Sequence, residues 1–323
     1  MTSGPVEAAF PASLDGLDPV AEYATGLQAT RVLRAADGTF WWWQRPGPRH
    51  PGPLTAPAVP VPPRPPDDPG AALLALPRQL GDGLLYRTPG PASAAAWLRD
   101  FRPAARLLVA GALASAARGL RALHQAGPPA PERAGPPPGL LRLRAWAVSD
   151  DELRRRARRF WGRRRTGLLL GWATEAAEGA DPRRPVHGWA SLGSLVPPLH
   201  SGRTALLTGP DLGTGRPELD LGWIVGDLAE LAWRLPSFDR APAPYDSAAL
   251  RRVFLDAYGP GPDPVLTGRC AVLRIAVHLQ DFARFQGWDD ELLDYLSFTA
   301  DLIDHEGRPA LPPNPGDDHH DPA

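Results

Sequence analysis

The types of side chain that could do acid–base or nucleophilic chemistry in this 323-residue chain exclude much. All 35 basic side chains are arginine, and lysine is absent. That removes the phosphate-gripping lysine of a Walker A loop, the Schiff-base lysine of pyridoxal chemistry and the ammonium that kinases place on nucleotide phosphates. Cys270 is the single cysteine, so disulfide frameworks, thiolate zinc sites and CxxC redox chemistry are excluded. Its setting, GRCAVLRIAVHL, reads as that of a small buried hydrophobe. No H-x-x-x-H pair exists, and neither a metal nor a cofactor is expected. Three groups remain as candidate bases: His187 in HGWASLGS, Asp211 in LTGPDLGTGRPELDLG, and Tyr86 in a strand-like run. The imidazole titrates near neutrality, and a loop carboxylate either caps its own turn or orients a ligand.

Two further groupings suit binding more than catalysis. The run ELRRRARRFWGRRR places eight arginines between Arg154 and Arg165, and Arg183 and Arg184 follow shortly before His187. On a helix they spread over a broad surface, from which Arg154, Arg158 and Arg184 can meet the carboxylates or phosphates of a peptide; the alternative is a plain solvated face. In the consecutive Trp41, Trp42 and Trp43, strand alternation gives Trp41 and Trp43 one face and Trp42 the other. Trp41, Trp43 and the following Arg45 are therefore candidate ligand contacts, with core packing as the alternative. The net charge of −1 argues against nucleic acid, which usually selects a basic excess. The N-terminus has no signal-peptide pattern and the apolar run Leu107–Ala117 is too short to span a bilayer, so no membrane and a cytoplasmic location are expected.

The elements that must position these groups fall into two parts. Strand-like runs ATRVLRA and TFWWWQR meet at Asp37-Gly38, a hairpin signal, and another strand is predicted over Gly83–Thr88. Between them, Pro46–Pro69 is proline-dense and predicts a long loop. Helical spacing then predicts Ser93–Arg99, Pro103–Gln125, Ser149–Trp161, Thr166–Glu178, Gly222–Arg234, Ser247–Tyr258, Gly268–Gln286 and Asp289–His305, with Ser149 and Glu152 as a capping box. The helix-poor segment Val186–Leu219 interrupts them and is where a site is expected. The domain reading is an N-lobe at 15–92, a helical C-lobe at 93–306 and a disordered tail at 307–323.

This order of elements, with HGWASLGS and LTGPDLGTGRPELDLG, resembles the aminoglycoside phosphotransferase and choline-kinase-like family. The resemblance implies an α+β, two-lobed, protein-kinase-like fold with a small N-terminal sheet lobe and a larger, mainly helical C-lobe. His187, Gly188 and Gly193 match the family's H-G-D-x-x-x-x-N loop, and Asp211, Gly213, Gly215, Pro217, Asp220 and Leu221 match its later I-D-W-x-D-x-G-x-G-D-P-x-x-D-L-A segment. The family's catalytic base and two magnesium ligands stand where this chain has Trp189, Ser194 and Thr208, and Arg45 is the nearest substitute for its nucleotide lysine. A tryptophan can take no proton, and neutral hydroxyls are poor magnesium ligands. Keeping Gly188 and Asp220 while losing these groups implies a pseudokinase.

By the same resemblance the chain is similar to kinase-like proteins of lanthipeptide (class V) and thioamitide pathways. That implies a ribosomally made precursor peptide as partner, bound in the cleft by Trp189, Ser191, Ser194, Thr208 and the arginines, with a modifying kinase or lyase as a further partner. One form of this reading is a metal-independent cyclase adding a thiol to a dehydroamino acid, with His187, Asp211 or Tyr86 as the base. The alternatives are a non-catalytic scaffold or regulator, and an active kinase with relocated acidic groups such as Asp211 and Asp220.

Overall fold

The structure is a computed structural model that describes residues 10–57, 68–100, 102–126, 135–178, 184–234 and 246–313. Six strands precede the helices: β1 (Asp18–Ala24), β2 (Gln28–Arg34), β3 (Phe40–Pro46), β4 (Leu73–Ala75), β5 (Arg78–Leu80) and β6 (Gly83–Thr88). Five of them form one antiparallel sheet in the order β1-β2-β3-β6-β5. The β2–β3 turn is where Asp37-Gly38 predicts it: Gly38 takes φ +83°, open to glycine at no steric cost, and the Asp37 carboxylate accepts the Thr39 N–H at 2.9 Å.

Register assigns the tryptophans to faces. Val32, Trp42 and Tyr86 are cross-strand neighbours on one side, whereas Leu33, Trp41 and Trp43 lie with Leu85 on the other. The first side packs toward the rest of the molecule with Leu54, Leu84 and Val196. The second is covered by Phe10, Leu14 and Leu17, with Phe10 and Trp41 ring centroids 5.3 Å apart. Trp41, Trp43 and Arg45 are thus on the sheet's outer face, opposite the side that carries Trp42 and Tyr86.

The helices are α1 (Ala94–Leu98), α2 (Pro103–Gln125), α3 (Pro138–Val148), α4 (Glu152–Glu178), α5 (Glu218–Arg234), α6 (Ser247–Tyr258), α7 (Pro264–Phe285) and α8 (Glu291–Asp304). Between α4 and α5 run four short strands: β7 (Arg184–Val186), β8 (Leu195–Val196), β9 (Ala205–Leu207) and β10 (Gly213–Gly215). β10 pairs with β7, while β4 leaves the first sheet and joins β9 and β8. Helices α5 and α7 pack so closely that a Cβ on Gly222 would lie 2.3 Å from Cys270 Cβ. Cys270 is fully buried in that contact, and burial raises its thiol pKa well above the ordinary value, so it stays a neutral packing group.

Three local differences from the sequence reading have physical causes. The arginine-rich segment is one element bent at Gly162 (φ +71°), which is where the two predicted helices divide. Its cap is Asp151, not Ser149: Asp151 Oδ1 accepts the Arg154 N–H at 2.7 Å, and Ser149 ends α3 while donating its hydroxyl to Asp151. The chain after Gly307 is ordered at first, because Arg308–Ala310 form a 3-10 turn with Ala310 fully buried. The rest of the expected tail, from residue 314, and residues 58–67 of the proline-dense loop lie outside the described residues.

Candidate functional site: the cleft between the lobes

Asp220 and Asp227 stand seven residues apart on α5, two turns along one face, and both carboxylates point at the 187–194 loop. Asp220 accepts the N–H groups of His187 (2.6 Å) and Gly188 (2.7 Å), and Asp227 accepts that of Leu192 (2.7 Å). Asp220 is held from behind by His124 Nε2 at 2.9 Å, whose Nδ1 lies 2.8 Å from the Tyr258 hydroxyl. Gly188 (φ +76°) has no room for a side chain, since a Cβ there would sit 2.0 Å from the Asp211 carbonyl oxygen. The loop backbone is thereby fixed before any ligand arrives.

The ring of His187 faces inward. Its Nε2 is 3.0 Å from the Leu207 carbonyl oxygen, and its Nδ1 accepts the Trp189 N–H at 3.3 Å. Burial pushes the imidazole pKa down, against the opposing pull of Asp220, so the ring is a neutral donor–acceptor bridge. Both nitrogens being spent on backbone, His187 positions the loop and has no lone pair for a substrate proton. Tyr86 is similarly committed: its hydroxyl donates to the Thr208 carbonyl at 2.8 Å, and burial drives its pKa upward, so phenolate is disfavoured.

Trp189 is half-buried, edge-on to Trp223 at 6.4 Å, with the Arg142 guanidinium 5.5 Å from its ring centroid. Ser194 turns its hydroxyl onto its own loop, donating to the Ser191 carbonyl (2.9 Å) and accepting the Ser191 N–H (3.0 Å). The Ser191 hydroxyl lies 3.2 Å from that of Ser194 and completes this knot. Thr208 is fully buried and donates its hydroxyl to the Ala75 carbonyl at 2.8 Å. Arg45 packs over Trp43 at 4.5 Å on the outer face, and Gln44 is the β3 residue beside it that lines the cleft.

Asp211 is the carboxylate left near the loop. It accepts the Gly139 N–H at 2.9 Å and lies 3.7 Å from Arg142; burial pushes its pKa up, opposed by that arginine. Arg142 also stands 3.8 Å from Asp281, again at ion-pair distance without a hydrogen bond. Among the described residues no cluster of three or more histidine, cysteine or acidic side chains is arranged to hold a metal ion.

These groups surround a cleft of about 620 Å³, roofed by Gln28, Thr30, Trp42, Gln44 and Tyr86 of the sheet and floored by Trp189, Ser191, Ser194 and Asp211. At one end the β1–β2 turn touches the C-lobe: a Cβ on Gly26 would fall 1.7 Å from the Phe285 carbonyl oxygen, so only glycine allows this approach. Beyond Arg142 and Arg284 the cleft adjoins a second hollow of about 560 Å³, lined by Trp146, Ser149, Glu152 and Gln280.

No protein-family model matches the chain, and no curated protein sequence matches it. Solved structures do match. An amicoumacin kinase in complex with AMP-PNP, Ca2+ and Ami superposes with a TM-score of 0.52 at 12% identity, covering 94% of this chain and 91% of that one. The fold is that of the aminoglycoside phosphotransferase-like kinases. An aminoglycoside phosphotransferase from Streptomyces rimosus (TM-score 0.42, 19% identity, 81% of this chain and 92% of that one covered) and a macrolide 2'-phosphotransferase from Brachybacterium faecium (TM-score 0.43, 15% identity, 93% and 96%) are also similar.

Within the kinase fold, the cleft separates the expected ligand contacts into two groups. Trp189, Ser191 and Ser194 line it beside His187 and Asp211, and Thr208 is buried just behind. Arg154, Arg158 and Arg184 do not line it: Arg154 donates to the Ala147 carbonyl at 2.6 Å, Arg158 lies on exposed α4 surface, and Arg184 opens β7. The positions that the family's motifs give to magnesium ligands do not suit the ion, because Thr208 and Ser194 spend their hydroxyls on protein carbonyls. The sequence reading missed the arginines that do line the cleft, Arg99, Arg142 and Arg284. The signal for Arg142 was LLRLRAW after a proline run, a helix start with Pro138 in its first turn.

Proposed function

We propose that this protein is a pseudokinase whose interlobe cleft binds a peptide and transfers no phosphoryl group. The observation that carries the reading is the fate of Thr208 and Ser194, whose hydroxyls are tied to protein carbonyls where phosphoryl transfer needs groups free to hold magnesium. A peptide fits better than a compact molecule because two hollows adjoin through Arg142 and Arg284, making a trough for an extended chain. The precursor of a lanthipeptide-type pathway is the peptide that the resemblance suggests, with a kinase or lyase as the partner to which it is presented.

Of the two forms of this reading, the scaffold is favoured over the cyclase. Thiol addition needs a base at the peptide, and His187 and Tyr86 are both engaged with backbone carbonyls. Asp211 alone stays available, and its pKa is raised by burial. The test is a thermal-shift titration with ATP and magnesium beside one with a candidate precursor peptide, since a ligand that prefers the native state raises its Tm. The expected result is a shift with peptide and none with ATP and magnesium. A magnesium-dependent shift with ATP would return the chain to the active kinases.

A further inference from the structure

We infer that the arginines lining the cleft, Arg99, Arg142 and Arg284, select a bound peptide that carries an acidic side chain. This rests on the peptide reading above and adds the chemistry that selects the peptide. Three different elements bring these arginines to the lining of the cleft: Arg99 follows α1, Arg142 is on α3 and Arg284 is near the end of α7, the last two also lining the second hollow. Arg99 and Arg284 are exposed and carry no ion pair or hydrogen bond among the described residues. Arg284 lies 5.3 Å from the Phe285 ring, a contact that leaves its N–H edge open.

Arg142 links the cleft to the second hollow, since it lines both. Its facing carboxylates, Asp211 and Asp281, stand at 3.7 and 3.8 Å and leave its five N–H donors without a direct hydrogen bond. The acidic groups of the second hollow are already engaged. Asp151 accepts the Arg154 N–H and the Ser149 hydroxyl, and Glu152 pairs with Arg155 and Arg156. Arg99 and Arg284 therefore add positive charge to the cleft lining that no ion pair answers among the described residues, and an incoming carboxylate can meet a guanidinium there in bidentate geometry.

An unpartnered acceptor points to the rest of the ligand. Gln280 lines the second hollow, is 5% exposed, and its Oε1 is buried without a hydrogen-bond partner. A donor must meet it, and a peptide N–H is the donor an extended chain supplies beside its side chain. An acidic residue on the arginines with a neighbouring N–H on Gln280 uses both features at once.

The test is selection of a displayed library of random peptides on the full-length protein and, in parallel, on the Arg99→Gln/Arg284→Gln double variant. Both substitutions are at exposed positions, and a thermal melt checks that the variant is folded. The expected result is enrichment of Asp and Glu on the wild type, lost on the variant, with a selected peptide binding roughly tenfold more weakly after its acidic residue is changed to the amide. Peptides selected without acidic enrichment, or with enrichment unchanged on the variant, would overturn the inference while leaving peptide binding intact. Failure to select any peptide would overturn the peptide reading and this inference with it.

Discussion

Along α4, Arg155 and Arg156 pair with Glu152, and Arg164 and Arg165 with Asp304, whereas in the cleft Arg99 and Arg284 carry no such partner among the described residues. The dense run is the part of the sequence that looks like a binding surface, yet much of its charge is already answered by the protein. Arg99 and Arg284, from two distant segments, are cleft arginines whose guanidinium groups have no ion pair or hydrogen bond, and within the run only Arg158, Arg159 and Arg163 share that state among the described residues. Density along the chain measures charge, and pairing in space decides whether that charge is available.

A third setting, the buried contact between α5 and α7, gives the comparison its strongest test. Arg274 lies there against Asp227 and, at 3.2 Å, Glu230. Arg274→Met would leave the buried Asp227 without its cation and Glu230 with only the His278 ion pair, and is expected to cost about 3–5 kcal/mol in urea unfolding. An unchanged midpoint would mean that pairing inside the fold is not what separates these arginines.

The same network sets a pH dependence. Burial pushes the Glu230 carboxyl up, but His278, Arg274 and the Tyr295 hydroxyl outweigh it and hold the pKa at about 2, below the ordinary 4.5. A depressed carboxyl contributes stability that is fully present above the unfolded value and is lost as pH falls through the folded one. The wild type should therefore lose this contribution between pH 4.5 and about 2. Glu230→Gln should flatten that part of the urea-midpoint profile, and an unaltered slope would remove Glu230 from the account.

The smallest effects are expected at the surface. Arg165→Gln breaks a 2.6 Å contact with Asp304, but exposed pairs contribute little, and Tm should move by no more than about 2 °C. Arg284→Gln should be equally silent in Tm because it breaks no pair. Any larger fall on Arg284→Gln would place that arginine among the structural ones and erase the contrast.

Much of the fold was legible because it is written in local patterns. The predicted Gly83–Thr88 strand, the Pro103–Gln125 helix and the Ser247–Tyr258 helix are the observed β6, α2 and α6. Their alternation or helical spacing is strong, and turn or cap residues bound them. Helix α3 was missed because its apolar face is weakly defined, although Pro138 marks its start, and with it went Arg142. The short strands β4 and β5 were missed as well, for three residues carry too little pattern to stand out.

The candidate site divides along the same line. Composition alone excluded lysine, disulfide and CxxC chemistry, and the resemblance to the family's two motifs implied that Trp189, Ser194 and Thr208 stand where a kinase would keep carboxylates and an amide. Those are statements about which atoms exist, and a sequence holds them in full. Alternation also separated Trp42 from Trp41 and Trp43, but it could not say which face meets the cleft, because a strand has two faces of equal standing until something packs on one. Only the tertiary structure decided that: Phe10, Leu14 and Leu17 cover the Trp41 side, and Trp42 turns to the cleft. It likewise decided which arginines are available, since pairing is a matter of distance between segments far apart in the chain, and no local pattern encodes that distance.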